Sequence, residues 1–324
     1  MSDTPAVGFA LGSGFHPERL AAVARAIEES GFDSVWSTED YFAAGGFSCA
    51  AIVLGVTSHI QVGTGVVSVY ARHPALTAME AATLAAAYPG RFALGLGVGG
   101  LGWLDQQGVA HTRPLAATRA AVSAIRDLLA GEEVDGTRGG FHFDRVRLWF
   151  PPETAPPILV GATGPKMTAL TGEIADGLLL SVFSTPEFVR IQSDIVAASA
   201  AGRPCPISTL AFFVLDDSVE DARAKARPIL AAYLADTESA VMTDAIGITE
   251  DLRAMAARGG AAGLAAEMPD AWIDQLAICG DLSTCVARIH ALGEAGSREV
   301  ALAPVFADTL LHDIERLGPA LRTG

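Results

Sequence analysis

Between residues 60 and 100 the chain reads IQVGTGVVSVYARHPALTAMEAATLAAAYPGRFALGLGVGG: an apolar run, a glycine-rich break, a helix-compatible stretch, a second apolar run and a second break. Two such runs joined by a helix predict a βαβ unit. Its strands are continuously apolar rather than alternating, so they belong to a parallel sheet covered on both faces. Glycines stand at the C-terminal end of each run, at Gly63 and Gly65 and again at Gly95, Gly97, Gly99 and Gly100. Backbone bare of side chains at these ends admits either a ligand lying on the main chain or another segment packed tightly against it.

The unit recurs along the chain. Strand patterns fall at 7–11, 34–37, 60–65, 92–96, 158–161, 177–181, 208–215 and 299–303, with helical patterns at 17–30, 48–57, 74–88, 114–130, 165–174, 186–201 and 283–295 between them. Pro opens and Gly closes several of these helices, the asymmetry expected of helix ends. Alternation with eight strands predicts an α/β fold, a (β/α)8 TIM barrel. A doubly wound sheet would need fewer strands and one dominant glycine-rich first turn. Two stretches interrupt the pattern: about 131–157, which reads as an inserted hairpin, and about 216–279, which is mostly helical. No linker rich in Pro, Ser or charge divides the chain, so residues 1–324 are expected to form a single domain carrying those insertions.

Composition bounds the partners. Mean hydropathy is +0.36, yet the most apolar stretch, 47–69, is interrupted by Ser48, His59, Gln61 and glycines and falls short of the ~20-residue run that crosses a membrane. Thirty-seven acidic against 22 basic residues give a net charge of −15, which argues against a nucleic-acid or anionic-membrane surface. The start, MSDTPAVGFA, shows no basic region followed by an apolar core, and Cys49, Cys205, Cys279 and Cys285 have no CxxC or zinc-like spacing. Reduced thiols in the cytoplasm are the expectation.

In a barrel the loops after the strands gather at one rim. They carry His16 in GSGFHP, Glu39 and Asp40 in STEDYF, Ser68, Tyr70, Arg72 and His73 in SVYARHP, Trp103 and His111 after GLGVGG, and the loop GATGPKM. In GATGPKM, Gly161 and Gly164 free the backbone, Pro165 takes the first helical position and Lys166 adds charge. Helix N–H groups and the dipole there suit an anion such as a phosphate, or form a plain β-to-α turn. GLGVGG is not read as a dinucleotide fingerprint, because its glycines are not read as GxGxxG and no helix is expected to begin immediately after it. Glu39-Asp40 is the acid/base candidate, through burial or mutual repulsion, with a solvated loop or helix cap as the alternative.

His16 and His73 each precede a Pro that opens a helix, where capping competes with catalysis. Trp103, Phe141 and Trp149 either wall an apolar pocket or fill the core of an insertion. The histidines show no HExxH, HxH or paired-carboxylate pattern for a metal, and no GxSxG elbow marks a nucleophile.

Four segments, GFDSVWSTEDYF (31–42), the stretch 62–100, GATGPKMTALTGEIADGLLLS (161–181) and ICGDLSTCVARIHALGEAGSREVALAP (278–304), carry a resemblance that spans essentially the whole chain. The chain resembles the luciferase-like flavin and deazaflavin oxidoreductases, and most closely the branch dependent on coenzyme F420 that includes methylenetetrahydromethanopterin reductase. The resemblance implies a homodimer of barrels with the deazaflavin at the C-terminal ends of the strands. In relatives a non-proline cis peptide after strand three forms a bulge behind the ring, here at Gly65-Val66. Gly65, Val66 and Ser68 would line the ring, and Gly97, Val98, Gly99 and Gly100 would pass beside it. Gly161, Ala162, Thr163, Gly164, Pro165 and Lys166 would hold the side chain and phosphate.

Many relatives carry Asp-His where this chain has Glu39-Asp40, and their sugar-phosphate dehydrogenases have a Glu at the position of Gly100. That acid/base arrangement is absent here, which leaves Asp40, with Glu39 beside it, as the catalytic candidate. The implied activity is hydride transfer between reduced F420 and a small organic substrate. An FMN-dependent monooxygenase of the same fold and a non-catalytic flavin-binding homologue stand as alternatives. The substrate pocket is expected from 43–47, 101–111 and the two insertions, the segments with least family pattern.

Overall fold

The computed structural model describes residues 4–12, 15–236 and 241–323. Ser13 and Gly14 of the GSGFHP loop, the first three residues of the N-terminal segment, and 237–240 of the second insertion lie outside the described residues.

Strand β1 (Ala6–Leu11) pairs in parallel with β2 (Ser34–Ser37), and β2 with β3 (Gln61–Thr64). The two-residue β4 (Val67–Ser68) continues β3 past a break, and both pair with β5 (Phe92–Gly97). An antiparallel hairpin, β6 (Val134–Arg138) and β7 (Phe141–Val146), follows before the chain returns to the main sheet. There β8 (Ile158–Gly161) pairs with β5, β9 (Gly177–Leu180) with β8, and β10 (Ile207–Leu215) with β9. After the short β11 (Ile278–Gly280), which extends the far end of β10, β12 (Ser297–Pro304) joins β10 to β1 and closes the barrel. All eight strand patterns read from the sequence are barrel strands, counting the broken third as one. Closure excludes the doubly wound sheet.

Helices α1 (Leu20–Glu29), α2 (Gly46–Val56), α3 (Pro74–Ala87), α4 (Leu101–Gln106), α5 (Pro114–Leu129), α6 (Pro165–Ile174) and α7 (Pro186–Ser199) alternate with the strands. Four more, α8 (Val219–Asp236), α9 (Val241–Asp244), α10 (Thr249–Glu267) and α11 (Asp270–Leu276), separate β10 from β11, and α12 (Leu282–Glu294) and α13 (Leu310–Thr323) end the chain. Helix α1 shows how the pattern works: Leu20, Val23, Ala24 and Ile27, at i, i+3, i+4 and i+7, are its buried face. Strand β10 is buried at every position, as its uninterrupted ISTLAFFVL requires.

Two cores result. The larger lies between strands and helices; the smaller fills the barrel with Ala10, Trp36, Leu159, Leu179, Leu210 and Ala301. Next to that plug, Glu299 accepts hydrogen bonds from Ser34, from Trp36 Nε1 at 2.8 Å and from Ser208 at 2.7 Å, so its carboxylate is satisfied by neutral donors.

Three sequence expectations are corrected. A helix does begin directly after GLGVGG: α4 is capped by Gly100. Gly95, Gly97 and Gly100 also carry the GxGxxG spacing, but β5 is one strand of a closed barrel and has no strand-order reversal at which a dinucleotide could sit. Trp149 neither walls a pocket nor fills a core, because it stands 90% exposed beside Phe150 at 81%.

Candidate active site

The C-terminal ends of β2, β3, β5 and β8 meet around a break in the third strand. The Gly65-Val66 peptide is cis, and Gly65 N–H donates to Ser37 O at 2.9 Å while Val69 N–H donates to Gly97 O at 2.9 Å. The Val66 side chain turns over the barrel plug. A Cβ on Gly97 would stand 2.6 Å from Val66 Cγ2, one on Gly161 2.9 Å from Val66 Cγ1, and one on Gly95 1.9 Å from Thr64 O. Glycine at 95, 97 and 161 is therefore demanded by the bulge. Of the two readings of the glycine-ended strands, close packing explains these three positions.

The same packing leaves a floor that carries little but backbone and Val66. Ser68 fixes one side: its hydroxyl donates to Val98 O at 2.7 Å and accepts from Tyr70 N at 3.1 Å. Gly164 differs from Gly95, Gly97 and Gly161, because nothing lies within 4 Å of the position its Cβ would take. It caps α6 without any side-chain cap, Pro165 follows, and the Lys166 side chain is exposed at the first turn. Ala162 is buried, tied by its N–H to Leu179 O at 3.2 Å, and Thr163 is half-buried between them.

On the opposite side the STEDYF loop is made of side chains. Glu39 is buried, and Arg72 donates to both its oxygens, at 2.5 and 2.7 Å, in a bidentate pair. Glu39 also accepts Gly46 N–H at 3.2 Å, which fixes the start of α2, while the guanidinium lies 5.7 Å from the Phe47 ring centroid. Asp40 accepts from Thr38 Oγ1 at 2.9 Å. The two carboxylates of the expected acidic pair thus have different partners, Arg72 for Glu39 and Thr38 for Asp40. Glu80, whose carboxylate comes within 3.5 Å of Arg72 Nε, has its pKa raised by burial, with the Arg72 charge opposing and the Glu39 charge adding.

Glu39, Asp40, Ala43, Gly45, Arg72 and Gln107 border an open cavity of about 350 Å³. It takes residues from two of the segments expected to form a substrate pocket, 43–47 and 101–111, and none from the two insertions. Tyr41 borders it too, and sequence reasoning passed that residue over. Its phenolic oxygen is buried and makes no hydrogen bond among the described residues, with Ser68 beside it and the Trp103 ring 5.7 Å away. Its only mark in the sequence is a place beside the acidic pair.

The histidines of the rim loops are occupied. His73 caps α3, accepting Ala75 N–H at Nδ1 (3.2 Å) and pairing Nε2 with His142 O at 3.0 Å; His16 caps a 3-10 turn, and His111 pairs with Asp105 at 2.9 Å. Cys279 and Cys285 are pushed by burial to about 11 and about 12, so both are inert thiols at neutral pH.

A closed eight-stranded parallel barrel with its polar groups and cavity at the C-terminal ends of the strands defines a (β/α)8 protein of the enzymatic kind. The profile of the luciferase-like monooxygenase family matches residues 2–299, and the chain belongs to that family. A 5,10-methylenetetrahydromethanopterin reductase of Methanolobus tindarius is 31% identical over 291 residues, covering 87% of this chain and 89% of that protein. An F420-dependent hydroxymycolic acid dehydrogenase of Mycobacterium tuberculosis is 33% identical over 227 residues, covering 65% of this chain and 62% of that protein. The solved structure of the coenzyme F420-dependent tetrahydromethanopterin reductase from Methanopyrus kandleri has a TM-score of 0.85 at 23% identity, covering 97% of both chains, and shares the fold.

Proposed function

We propose that this protein is an F420-dependent oxidoreductase that moves a hydride between the deazaflavin and a small organic substrate at the C-terminal face of the barrel. The observation that carries the reading is the floor around Val66: Gly65, Val66, Ser68 and Gly97–Gly99 present mostly main chain to a flat ring, while the Trp103 ring covers Gly100. The cofactor's phosphate belongs at the opening turn of α6, where Gly161–Lys166 offer an uncapped helix end, open space at Gly164 and one cation. These features fit the group. Bound there, the deazaflavin supplies a two-electron hydride donor and acceptor that does not activate oxygen.

The chain's own residues then bind and orient. Val66 sets the height of the floor and Ser68 fixes the β4–β5 edge. Trp103 folds over Gly100 and keeps water from Tyr41. Glu39 acts as an anchor of the loop through Arg72, and Asp40 keeps a place on the cavity as a proton-transfer candidate.

Titrating apoprotein with F420 and with FMN, each followed by fluorescence, tests the reading. Saturable quenching of F420 with none of FMN is expected, and tight FMN binding with none of F420 would overturn it in favour of the monooxygenase alternative. The family likeness also supports a homodimer. Ile52 on α2 and Leu76 and Met79 on α3 are 40%, 51% and 49% exposed, apolar side chains left for a partner on adjacent helices. Light scattering on a sizing column reads the mass directly. Among the described residues no helix is long and apolar enough to cross a membrane, and the four cysteines are free, in keeping with a cytoplasmic enzyme.

A further inference from the structure

The segment that follows β5 rests on the barrel at few points. Residues 99–112 carry α4 along the mouth, and most of them are exposed. Three contacts seat them: Leu104 is fully buried, the Trp103 ring lies over Gly100 and 5.7 Å from the Tyr41 ring, and Thr112 O accepts the Tyr70 hydroxyl at 2.9 Å. One hydroxyl of the floor ties both ends of the segment down. Ser68 donates to Val98 O, where the segment leaves β5, and accepts the N–H of Tyr70, whose phenol holds the far end. His111 stands edge-on to the Tyr70 ring, with centroids 6.4 Å apart, and pairs with Asp105 of α4 at 2.9 Å, so Tyr70 steadies the helix as well.

The ends of the segment have the backbone of hinges. Gly99 has φ +85° and Gly108 φ +67°, and nothing lies within 4 Å of where a Cβ on Gly108 would stand, so neither packing nor a side chain restrains the turn there. Arg113, with φ 54°, is a non-glycine residue in the left-handed region immediately before Pro114 opens α5. Strain at the foot of a loosely seated segment belongs to elements that have two positions, and the few residues at such ends absorb the change.

We infer that α4 and the turn after it form a gate on the cofactor floor, closed in the free protein and again over the bound deazaflavin, which swings about Gly99 and residues 108–113 to let the cofactor pass. This rests on the F420 reading above. Trp103 is the moving edge: its indole covers the Gly100 end of the floor and touches Tyr41, so it spans from the backbone half of the mouth to the loop after β2. Tyr70 is the latch, through its hydroxyl on Thr112 O. Gln107 of the same segment borders the cavity, and its side chain donates to Trp103 O at 3.1 Å, so the wall of the cavity moves with the indole. Closure over a bound ring keeps water from the place where a hydride is transferred.

Stopped-flow mixing with F420, read by cofactor fluorescence, tests this, the slope of the observed rate against concentration giving association and the intercept dissociation. Tyr70→Phe removes the latch hydrogen bond and should raise the open fraction, so association and dissociation both quicken about fivefold while Kd holds within about twofold. Trp103→Ala removes the moving edge and should speed association by at least as much. A residue that only contacts the cofactor alters dissociation and leaves association alone. Association unchanged in both variants therefore overturns the inference, whatever dissociation does. The wild-type protein supplies a second measurement: backbone amides of 103–109 should exchange with deuterium at least about 100-fold faster than those in the middle of α5, and equal protection overturns the gate. If the wild-type protein does not bind F420, the cofactor reading fails and takes this inference with it, an outcome separate from the others.

Discussion

Two halves of the barrel mouth are built in different materials. Around β3, β5 and β8 the surface is backbone: strands end in glycine, a cis peptide turns one side chain over the plug, and the geometry is held by main-chain packing. Around β2 it is side chain: one short loop carries a buried carboxylate paired with Arg72 from the segment after β4, a second carboxylate on the cavity and an unpaired phenol. A backbone surface varies only by whole-structure change, whereas a side-chain surface varies one residue at a time. The first suits a cofactor shared across a family, the second a substrate particular to one member.

The contrast can be broken most sharply at Gly95. In Gly95→Ala the added Cβ meets the Thr64 carbonyl, which is main chain and cannot rotate away, so the β3–β5 contact must open. A loss above about 4 kcal/mol in urea unfolding is expected, with F420 binding gone; a stable variant would show the cradle to be pliable. Next is Arg72→Met, which leaves Glu39 buried without its cation. About 3 kcal/mol of stability should be lost, and a second change, Glu39→Gln, should return part of it. Full activity and stability in Arg72→Met would remove the anchor role from Glu39.

Gly164→Asp should separate binding from folding. Its Cβ enters open space, so the urea midpoint should hold, while a negative charge at the head of α6 weakens F420 about tenfold. Unchanged affinity would move the phosphate elsewhere. The smallest effect belongs to Lys166→Ala: the side chain is exposed and screened, and a two- to threefold loss of F420 affinity that vanishes in high salt is expected.

Most of the fold was legible because each barrel strand is an uninterrupted apolar run and its helices are punctuated by Pro and Gly. What escaped was too short for any period to register: β4 with two residues, β11 with three and α4 with six. The site was legible only in its backbone half, and there for an incomplete reason. The glycines at 95, 97 and 161 were visible, but that they make room for Thr64 and Val66 is a three-dimensional fact. In the side-chain half, adjacency in sequence misled. Glu39 and Asp40 read as partners, while the true partner of Glu39 stands 33 residues away. Tyr41 carried no pattern, since an unpaired hydroxyl is a property of the packed molecule.

The central claim is that the floor around Val66 holds the deazaflavin, and a crystal structure of the protein soaked with F420 tests it most directly. The account predicts the ring lying over the Gly65-Val66 peptide between Ser68 and Gly97, with the phosphate at the first turn of α6 beside Gly164. Ring density elsewhere, or a phosphate away from α6, would contradict it.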